Sequence, residues 1–157
     1  MIHPRILIIA SAPQTANELS LILADASLQD TAFTLSNVAD AAKHLRELST
    51  SHASPVLVVI APDIAKPVAL AVELRPLCML CHFLFLCHAD QTDRIRQGLT
   101  WATVLGTHWS LARAGDPALP QLLRDTLKSV QRRARLRTTL DRVNLQLSNQ
   151  RSIDSLE

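Results

Sequence analysis

Short apolar runs recur along the chain at intervals that suit buried β-strands. They are rich in Ile, Val, Leu and Phe, and they occupy residues 6–9, 33–35, 56–60, 83–86 and 104–105. Apolar residues fill consecutive positions in these runs instead of every second one. This pattern predicts strands that are covered on both faces, as in a parallel sheet.

Segments with helical spacing of apolar residues separate these runs. We expect helices at about residues 13–26, 38–48, 64–74 and 92–99. The first opens on Ser11-Ala12-Pro13-Gln14, which fits an S-x-x-Q capping box with an early proline. Asp90 is the expected N-cap of the fourth.

Five strands that alternate with helices indicate right-handed βαβ units. The sequence therefore predicts an α/β fold, a five-stranded doubly wound parallel sheet in the flavodoxin-like order 2-1-3-4-5 with an extended C-terminal helix. In such sheets, ligands and chemistry lie at the carboxyl ends of the strands.

The last predicted helix is too long for one face of such a domain. It begins after Asp116 and Pro117, a suitable N-cap and first-turn pair, and neither Gly nor Pro occurs from residue 122 to residue 150. About 34 residues at 1.5 Å each give roughly 50 Å of helix, about twice what the domain can cover. Apolar residues step by 4, 3 and 4 in two sets, with a phase shift near Arg135: Leu123, Leu127, Val130 and Ala134, then Leu136, Leu140, Val143 and Leu147.

Both sets fit a heptad seam. We therefore expect residues 1–131 to form the domain and residues 132–157 to form a coiled-coil extension toward a missing downstream domain, so that the chain is a homodimer. A frayed amphipathic tail is the alternative, but a lone helix with an exposed apolar stripe is poorly supported in water.

The amino-acid composition excludes several classes of function. The three glycines, Gly98, Gly106 and Gly115, cannot form a G-x-G-x-x-G or G-x-x-x-x-G-K-[ST] phosphate loop. Aromatic residues make up 3% of the chain and tyrosine is absent, so the stacking platforms of single-strand nucleic-acid binders are missing. A net charge of +2 does not by itself imply a polyanionic partner.

The sequence gives no indication of export or of a membrane span. The apolar run at residues 6–10 is too short for the core of a signal peptide, and no stretch approaches roughly 18 apolar residues. Three cysteines, an odd number, do not make a disulfide framework. We expect a cytoplasmic protein without membrane insertion.

Four of the apolar runs, with the residues that follow them, resemble strands of a two-component receiver domain. The matching segments are Ile6-Leu7-Ile8-Ile9-Ala10-Ser11-Ala12-Pro13, Pro55-Val56-Leu57-Val58-Val59-Ile60-Ala61, Phe83-Leu84-Phe85-Leu86-Cys87-His88 and Val104-Leu105-Gly106-Thr107-His108-Trp109. In the family, acidic residues follow the first strand and the third ends in the phosphate-accepting Asp. The fourth ends in Thr or Ser, and the fifth in Lys-Pro. The resemblance covers roughly residues 4–131.

Every catalytic position of the family is replaced here. The resemblance places Ala10 and Ser11 at the Mg²⁺-binding acidic pair, Ala61 at the phospho-acceptor, Cys87 at the switch hydroxyl and His108 at the lysine. Aspartyl phosphorylation needs a carboxylate nucleophile and a metal that neutralises the phosphoryl group, and an alanine side chain supplies neither. The resemblance therefore implies a pseudo-receiver without catalytic residues, cofactor or enzymatic activity.

Asp63 leaves one alternative open. It lies two residues beyond Ala61 and is a candidate phospho-acceptor, although a loop aspartate that is solvated or caps the next helix is the simpler interpretation.

A metal or small-molecule sensor is the other alternative, with ligands from Cys78, Cys81, His82, Cys87 and His88. A strand would separate the two histidines by about 20 Å, so one site would not use both. Residues 78–82 also match C-x-x-C-H, the attachment pattern of c-type haem, which normally accompanies export. We expect ordinary buried cysteines and no metal. His108 and Trp109 are candidates to line a small-ligand pocket.

The resemblance also implies an association surface. Receiver-like domains associate through the fourth helix, fifth strand and fifth helix, where this chain has Arg94, Gln97, Trp101, Gln121 and Arg124. Positions of the long helix extend this surface: Leu127, Val130, Leu136, Leu140, Val143 and Leu147. The basic run at residues 132–137 suits nucleic acid or an anionic membrane, but a solvated helix face explains it more simply. We expect a protein partner and no nucleic acid.

Residues 147–156 resemble the start of a PAS sensor domain, and the final Leu156-Glu157 is alternatively a cloning scar. The resemblance implies a bacterial multidomain signalling protein with cyclic-di-GMP-type output domains, as in type IV pilus regulators. The domain would dimerise, bind a protein partner and transmit orientation along its last helix.

Overall fold

The computed structural model describes residues 5–25, 32–49, 56–78, 81–102, 106 and 108–156. Strands and helices alternate through them in the order β1 Arg5–Ile9, α1 Pro13–Asp25, β2 Ala32–Ser36, α2 Ala41–Ser49, β3 Val56–Ile60, α3 Pro67–Leu74, β4 His82–Cys87, α4 Thr92–Trp101, β5 Trp109–Arg113 and α5 Leu119–Leu156. A 3-10 turn, Arg75–Leu77, follows α3 directly.

The five strands form one parallel sheet in the order β2-β1-β3-β4-β5, which confirms the predicted topology. Ile60 lies opposite Ile9 on one side and Phe85 on the other, and Cys87 lies opposite Arg113. The carboxyl ends of β1, β3, β4 and β5 therefore share one edge of the sheet. The segments that follow these strands lie close enough to form a common site.

Helices cover both faces of the sheet. All five residues of β3 are buried, and they alternate between the faces. Val56, Val58 and Ile60 pack in the cluster that includes α2, α3 and α4, whereas Leu57 and Val59 pack with α1 and α5. A strand covered on both sides has no solvent face, which is why its sequence is apolar without alternation.

The fifth strand was predicted in the wrong place. It runs over Trp109–Arg113, whereas the predicted run at residues 104–105 lies outside the described residues. β5 is an edge strand, and residues 109–112 are only half-buried. An edge strand does not need a continuous apolar run, so the segment Trp-Ser-Leu-Ala-Arg lacks the pattern of the buried strands. Gly106 precedes it with φ of +58°, a left-handed conformation that favours glycine.

Two predicted helix starts and one cap also differ. α2 begins at Ala41, because the Asn37 side chain accepts a hydrogen bond from the Asp40 N–H at 2.8 Å and forms a turn before the helix. α3 begins at Pro67 instead of residue 64. The N-cap position of α4 is Gln91 instead of Asp90.

The last helix extends well beyond the domain. Asp116 Oδ1 accepts a hydrogen bond from the Ala118 N–H at 2.9 Å, which supports its predicted place at the helix start. The side of α5 that faces the domain is buried as far as Val130, and every residue from 135 to 152 is exposed. About 25 residues at 1.5 Å each project roughly 40 Å past that point. No described helix combines the length and apolar character that a membrane span requires.

Candidate functional site

The carboxyl edge of the sheet holds four of the five residues that the resemblance places at catalytic positions. Ala10 and Ser11 follow β1, Ala61 follows β3 and Cys87 ends β4. The Ala61 N–H donates to the Ile9 carbonyl at 2.9 Å, so the loops after β1 and β3 start side by side. Ala10 and Ala61 are both buried. Their methyl groups therefore extend the hydrophobic core to the place where the receiver family has carboxylates.

Asp63 lies in the β3–α3 loop at this edge, and its carboxylate is bound to the β1–α1 loop. Oδ1 accepts the Ser11 N–H and Oδ2 accepts the Ala12 N–H, each at 3.0 Å. Pro13 begins α1 directly afterwards, so the carboxylate lies at the positive end of that helix. Asp63 is therefore a capping residue, but the prediction that it caps the next helix, α3, is wrong. The helix it caps is α1, which the sequence did not indicate, because the partners are more than 50 residues apart in the chain.

Cys87, which the resemblance places at the switch hydroxyl, is buried. Its Sγ lies 3.5 Å from Thr92 Oγ1 and donates to the Ala112 carbonyl at 3.5 Å. The thiol therefore fills the space between β4, α4 and β5.

His108 was wrongly placed at this edge by the resemblance. It precedes β5, and its carbonyl accepts the Phe83 N–H at 3.0 Å near the opposite, amino edge of the sheet. The residue that ends β5 is Arg113, followed by Ala114, whose N–H donates to the Cys87 carbonyl at 3.1 Å. The error follows directly from the misplaced strand. The residue at the carboxyl end of β5 is therefore the cation Arg113 and not His108.

The amino edge of the sheet holds a basic cluster that sequence reasoning missed. It consists of His82, His108, Arg75 and Arg133. His82, which is 4% exposed, begins β4. Arg133 of α5 donates from Nη1 to His82 Nδ1 at 3.1 Å, and because a guanidinium only donates, Nδ1 is the acceptor. Nε2–H then donates to Ser110 Oγ at 2.7 Å. This network joins α5 to β4 and β5 at the place where the helix leaves the domain.

Burial and neighbouring cations act together on the histidines of this cluster. Burial, followed by Arg133, His108 and Arg75, lowers the pKa of His82 to about 4. Burial, then Arg133 and Arg75, also lowers the pKa of His108. Both imidazoles are therefore neutral at physiological pH.

The candidate metal ligands are divided between the two edges. Cys81 and His82 lie at the start of β4, whereas Cys87 and His88 lie at its end. Cys81 Sγ donates to the Cys78 carbonyl at 3.0 Å, and the contact with Cys78 together with burial raises the pKa of the Cys81 thiol. Among the described residues, no three His, Cys, Asp or Glu side chains are grouped as metal ligands. Residues 79 and 80 of the C-x-x-C-H segment lie outside that description.

The predicted association surface is only partly exposed. Arg94, Gln97 and Trp101 lie on the open side of α4, and Trp101 is 80% exposed. Gln121 and Arg124 share a hydrogen bond of 2.9 Å on α5. By contrast, two of the predicted interface residues, Leu127 and Val130, are buried within the protomer. Their apolar side chains complete the domain and are not available to a partner.

The projecting part of α5 carries the rest of that surface. The remaining predicted seam residues are exposed by 44–58% and form what we call the α5 stripe: Leu136, Leu140, Val143 and Leu147. Leu145 is also exposed but lies on another side of the helix.

Comparison with solved structures places the fold among receiver-like domains. A response regulator receiver protein from Sinorhizobium medicae is 14% identical and superposes with a TM-score of 0.57 over 84% of this chain and 97% of that one. A structure described as adenylate cyclase from Rhodopirellula baltica is 10% identical, with a TM-score of 0.64 over 90% of this chain and 97% of that one. The sequence matches no protein-family model and no curated protein. At these identities the likeness establishes a receiver-like fold and nothing finer.

Proposed function

We propose that this chain is a non-phosphorylatable, receiver-like signalling module that forms a homodimer through the α5 stripe. The observation that carries the proposal is the projecting helix itself. Its residues 135–152 are exposed on all sides, yet they present a continuous row of leucine and valine. An isolated helix of this length is marginal in water, and packing of its apolar face against a second copy stabilises it.

The direction of the α5 stripe favours a partner outside the protomer. At about 100° per residue, the stripe is centred roughly 110° around the helix from the face that packs on the domain. It is therefore not a continuation of the intramolecular packing surface. A second α5 that packs along it would therefore lie on a different side of the helix from the domain.

The apolar area of the α5 stripe suits a weak to moderate dimer. Covering the exposed half of a leucine contributes about 1 kcal/mol, so eight such side chains contribute on the order of 10 kcal/mol. Association costs an estimated 4–15 kcal/mol, so at the low end of that cost about 6 kcal/mol remains, which corresponds to a dissociation constant of tens of micromolar.

Sedimentation of the full chain tests dimerisation. We expect a dimer at tens of micromolar, and we expect Leu140→Glu combined with Val143→Glu to raise the dissociation constant at least about a hundredfold and give a monomer. Leu145→Glu, which adds one glutamate to the same helix but off the stripe, stays dimeric and is the matched control for Leu140→Glu alone. A monomeric wild-type chain, or equal effects of both changes, would refute the coiled-coil dimer.

The carboxyl edge supports the loss of phosphorylation. Ala61 has no nucleophile, and the buried Ala10 offers no ligand to Mg²⁺. The rival acceptor, Asp63, has both carboxylate oxygens bound to backbone amides, so attack on a phosphoryl donor would require it to leave the α1 cap. Incubation with acetyl phosphate and Mg²⁺ is expected to leave the mass unchanged. An added phosphoryl group that Asp63→Asn abolishes would establish the phospho-receiver instead.

We further assign residues 1–131 to the receiver-like domain and residues 132–157 to a helical linker toward a downstream domain. The exposed side of α4, with Trp101 at its end, is the surface that we assign to a protein partner. A cytoplasmic cyclic-di-GMP pathway is the context that the sequence resemblance favours. Pull-down from a bacterial lysate with wild-type protein and Trp101→Ala tests the partner surface, and equal recovery of the same protein with both would place the partner elsewhere.

A further inference from the structure

A cavity of about 420 Å³ lies between α3 and α4 at the carboxyl ends of β3 and β4. Its inner wall is apolar and includes Ile64, Val68 and Ile95. Gly98 closes one end, where a Cβ would lie 3.3 Å from Val68 Cγ2, so the two helices approach closely there. The volume falls in the range of roughly 300–1,000 Å³ that small-molecule pockets occupy.

The polar lining of this cavity carries one sign of charge. Lys66 and Arg94 both line it, and none of its lining residues is an aspartate or glutamate. The side chains of neither cation make a hydrogen bond or ion pair with another described residue, and the carboxylate of the neighbouring Asp63 is held by the β1–α1 loop. Gln91 adds an amide whose Nε2 donates to the Pro62 carbonyl at 3.4 Å.

We propose that this α3–α4 cavity is a binding site for a small amphipathic anion, with the anionic group at Lys66 and Arg94 and the apolar part against Ile64, Val68 and Ile95. The two components of the site are complementary to such a molecule. Two cations attract a carboxylate or phosphate, and the apolar wall removes part of the rest of the ligand from water. The concave shape and limited volume suit a small molecule better than a protein surface.

Octanoate is a suitable probe because it has one carboxylate and an apolar chain. Amide chemical shifts of the full-length chain, followed as octanoate is added, are expected to change saturably at residues that line the cavity. Inorganic phosphate has the charge without the apolar part, and n-octanol has the apolar part without the charge. Each is expected to bind at least about tenfold more weakly than octanoate.

Variants separate the two components of the site. Lys66→Gln together with Arg94→Gln is expected to weaken octanoate about tenfold, and Lys66→Arg with Arg94→Lys to restore most of the affinity. Val68→Thr, nearly isosteric, is expected to weaken octanoate several-fold without changing phosphate binding. Arg96→Gln, on the same helix but outside the cavity, is the matched control. Thermal unfolding of each variant establishes that it remains folded.

Several results would overturn the proposal. They are the absence of saturable shifts at about 10 mM octanoate, shifts confined to the α5 stripe, octanol binding as tightly as octanoate, and an equal effect of Arg96→Gln and the double variant. These outcomes do not depend on the oligomeric state, so the proposal can fail while the homodimer stands.

Discussion

Acidification is expected to destabilise the domain through one buried histidine. His82 accepts a hydrogen bond from Arg133 on Nδ1 and donates one to Ser110 from Nε2. A second proton on His82 would make Nδ1–H face the N–H of Arg133, so that two donors meet. It would also place another positive charge beside Arg133, Arg75 and His108. The neutral imidazole is therefore the form that the native packing requires.

The pKa difference gives both the sign and the size of the effect. The pKa of His82 is about 4 in the folded protein, against an ordinary value of 6.5 that applies in the unfolded chain. Above about pH 6.5 neither state binds the proton, and the full stability is present. As the pH falls from there toward 4, His82 binds a proton in the unfolded state but not in the folded state, so the free energy of unfolding decreases. The loss is about 2 kcal/mol between about pH 8 and pH 5, and about 3 kcal/mol by pH 4.

Urea denaturation of wild type and His82→Asn at several pH values measures this loss. Asparagine does not titrate, and its side-chain oxygen is able to accept from Arg133 near the position of Nδ1. Wild type is expected to lose about 2 kcal/mol more than the variant between about pH 8 and pH 5. His108→Asn controls for the other histidine whose pKa is lowered, and direct NMR titration of His82 reports its pKa. A difference between wild type and His82→Asn that stays constant across this range would refute the reasoning.

Asp63→Ala is expected to lower the free energy of unfolding by about 1–3 kcal/mol, because two backbone amides lose their acceptor, whereas Asp63→Asn retains one acceptor and loses less; equal losses in urea denaturation would contradict this. Leu123→Ala is expected to cost about 2–4 kcal/mol because it leaves a cavity, whereas Leu145→Ala on the exposed part of α5 costs less than about 0.5 kcal/mol, and similar costs would show that the two parts of α5 are equally covered. In the native protein at mildly alkaline pH, iodoacetamide is expected to alkylate Cys78 before Cys81, because the Cys81 thiol is buried and has a raised pKa. Mass spectrometry of timed digests checks the order of alkylation. Faster alkylation of Cys81 would contradict its burial and raised pKa.

The architecture was accessible from the sequence because burial is encoded locally. Residues of β3 such as Val58 have no solvent face, so an uninterrupted apolar run is sufficient to identify that strand and its place in the sheet. The extended α5 follows from the absence of Gly and Pro over nearly 30 residues. The same criterion, a continuous apolar run, misplaced β5. An edge strand is less buried, so its sequence does not need such a run.

The sequence alone also determined which chemical groups are absent from the carboxyl edge, since alanine at positions 10 and 61 cannot bind metal or accept phosphate whatever the fold. Tertiary structure decided which distant residues meet. Asp63 with the β1–α1 loop and Arg133 with His82 are each joined across about 50 residues of chain, and no local periodicity specifies such pairs. The same applies to α5, where Val130 and Leu136 belong to similar heptad patterns, yet Val130 is buried and Leu136 is exposed. Helical spacing fixes which side chains share a face, but only the position of the neighbouring elements determines which face is covered.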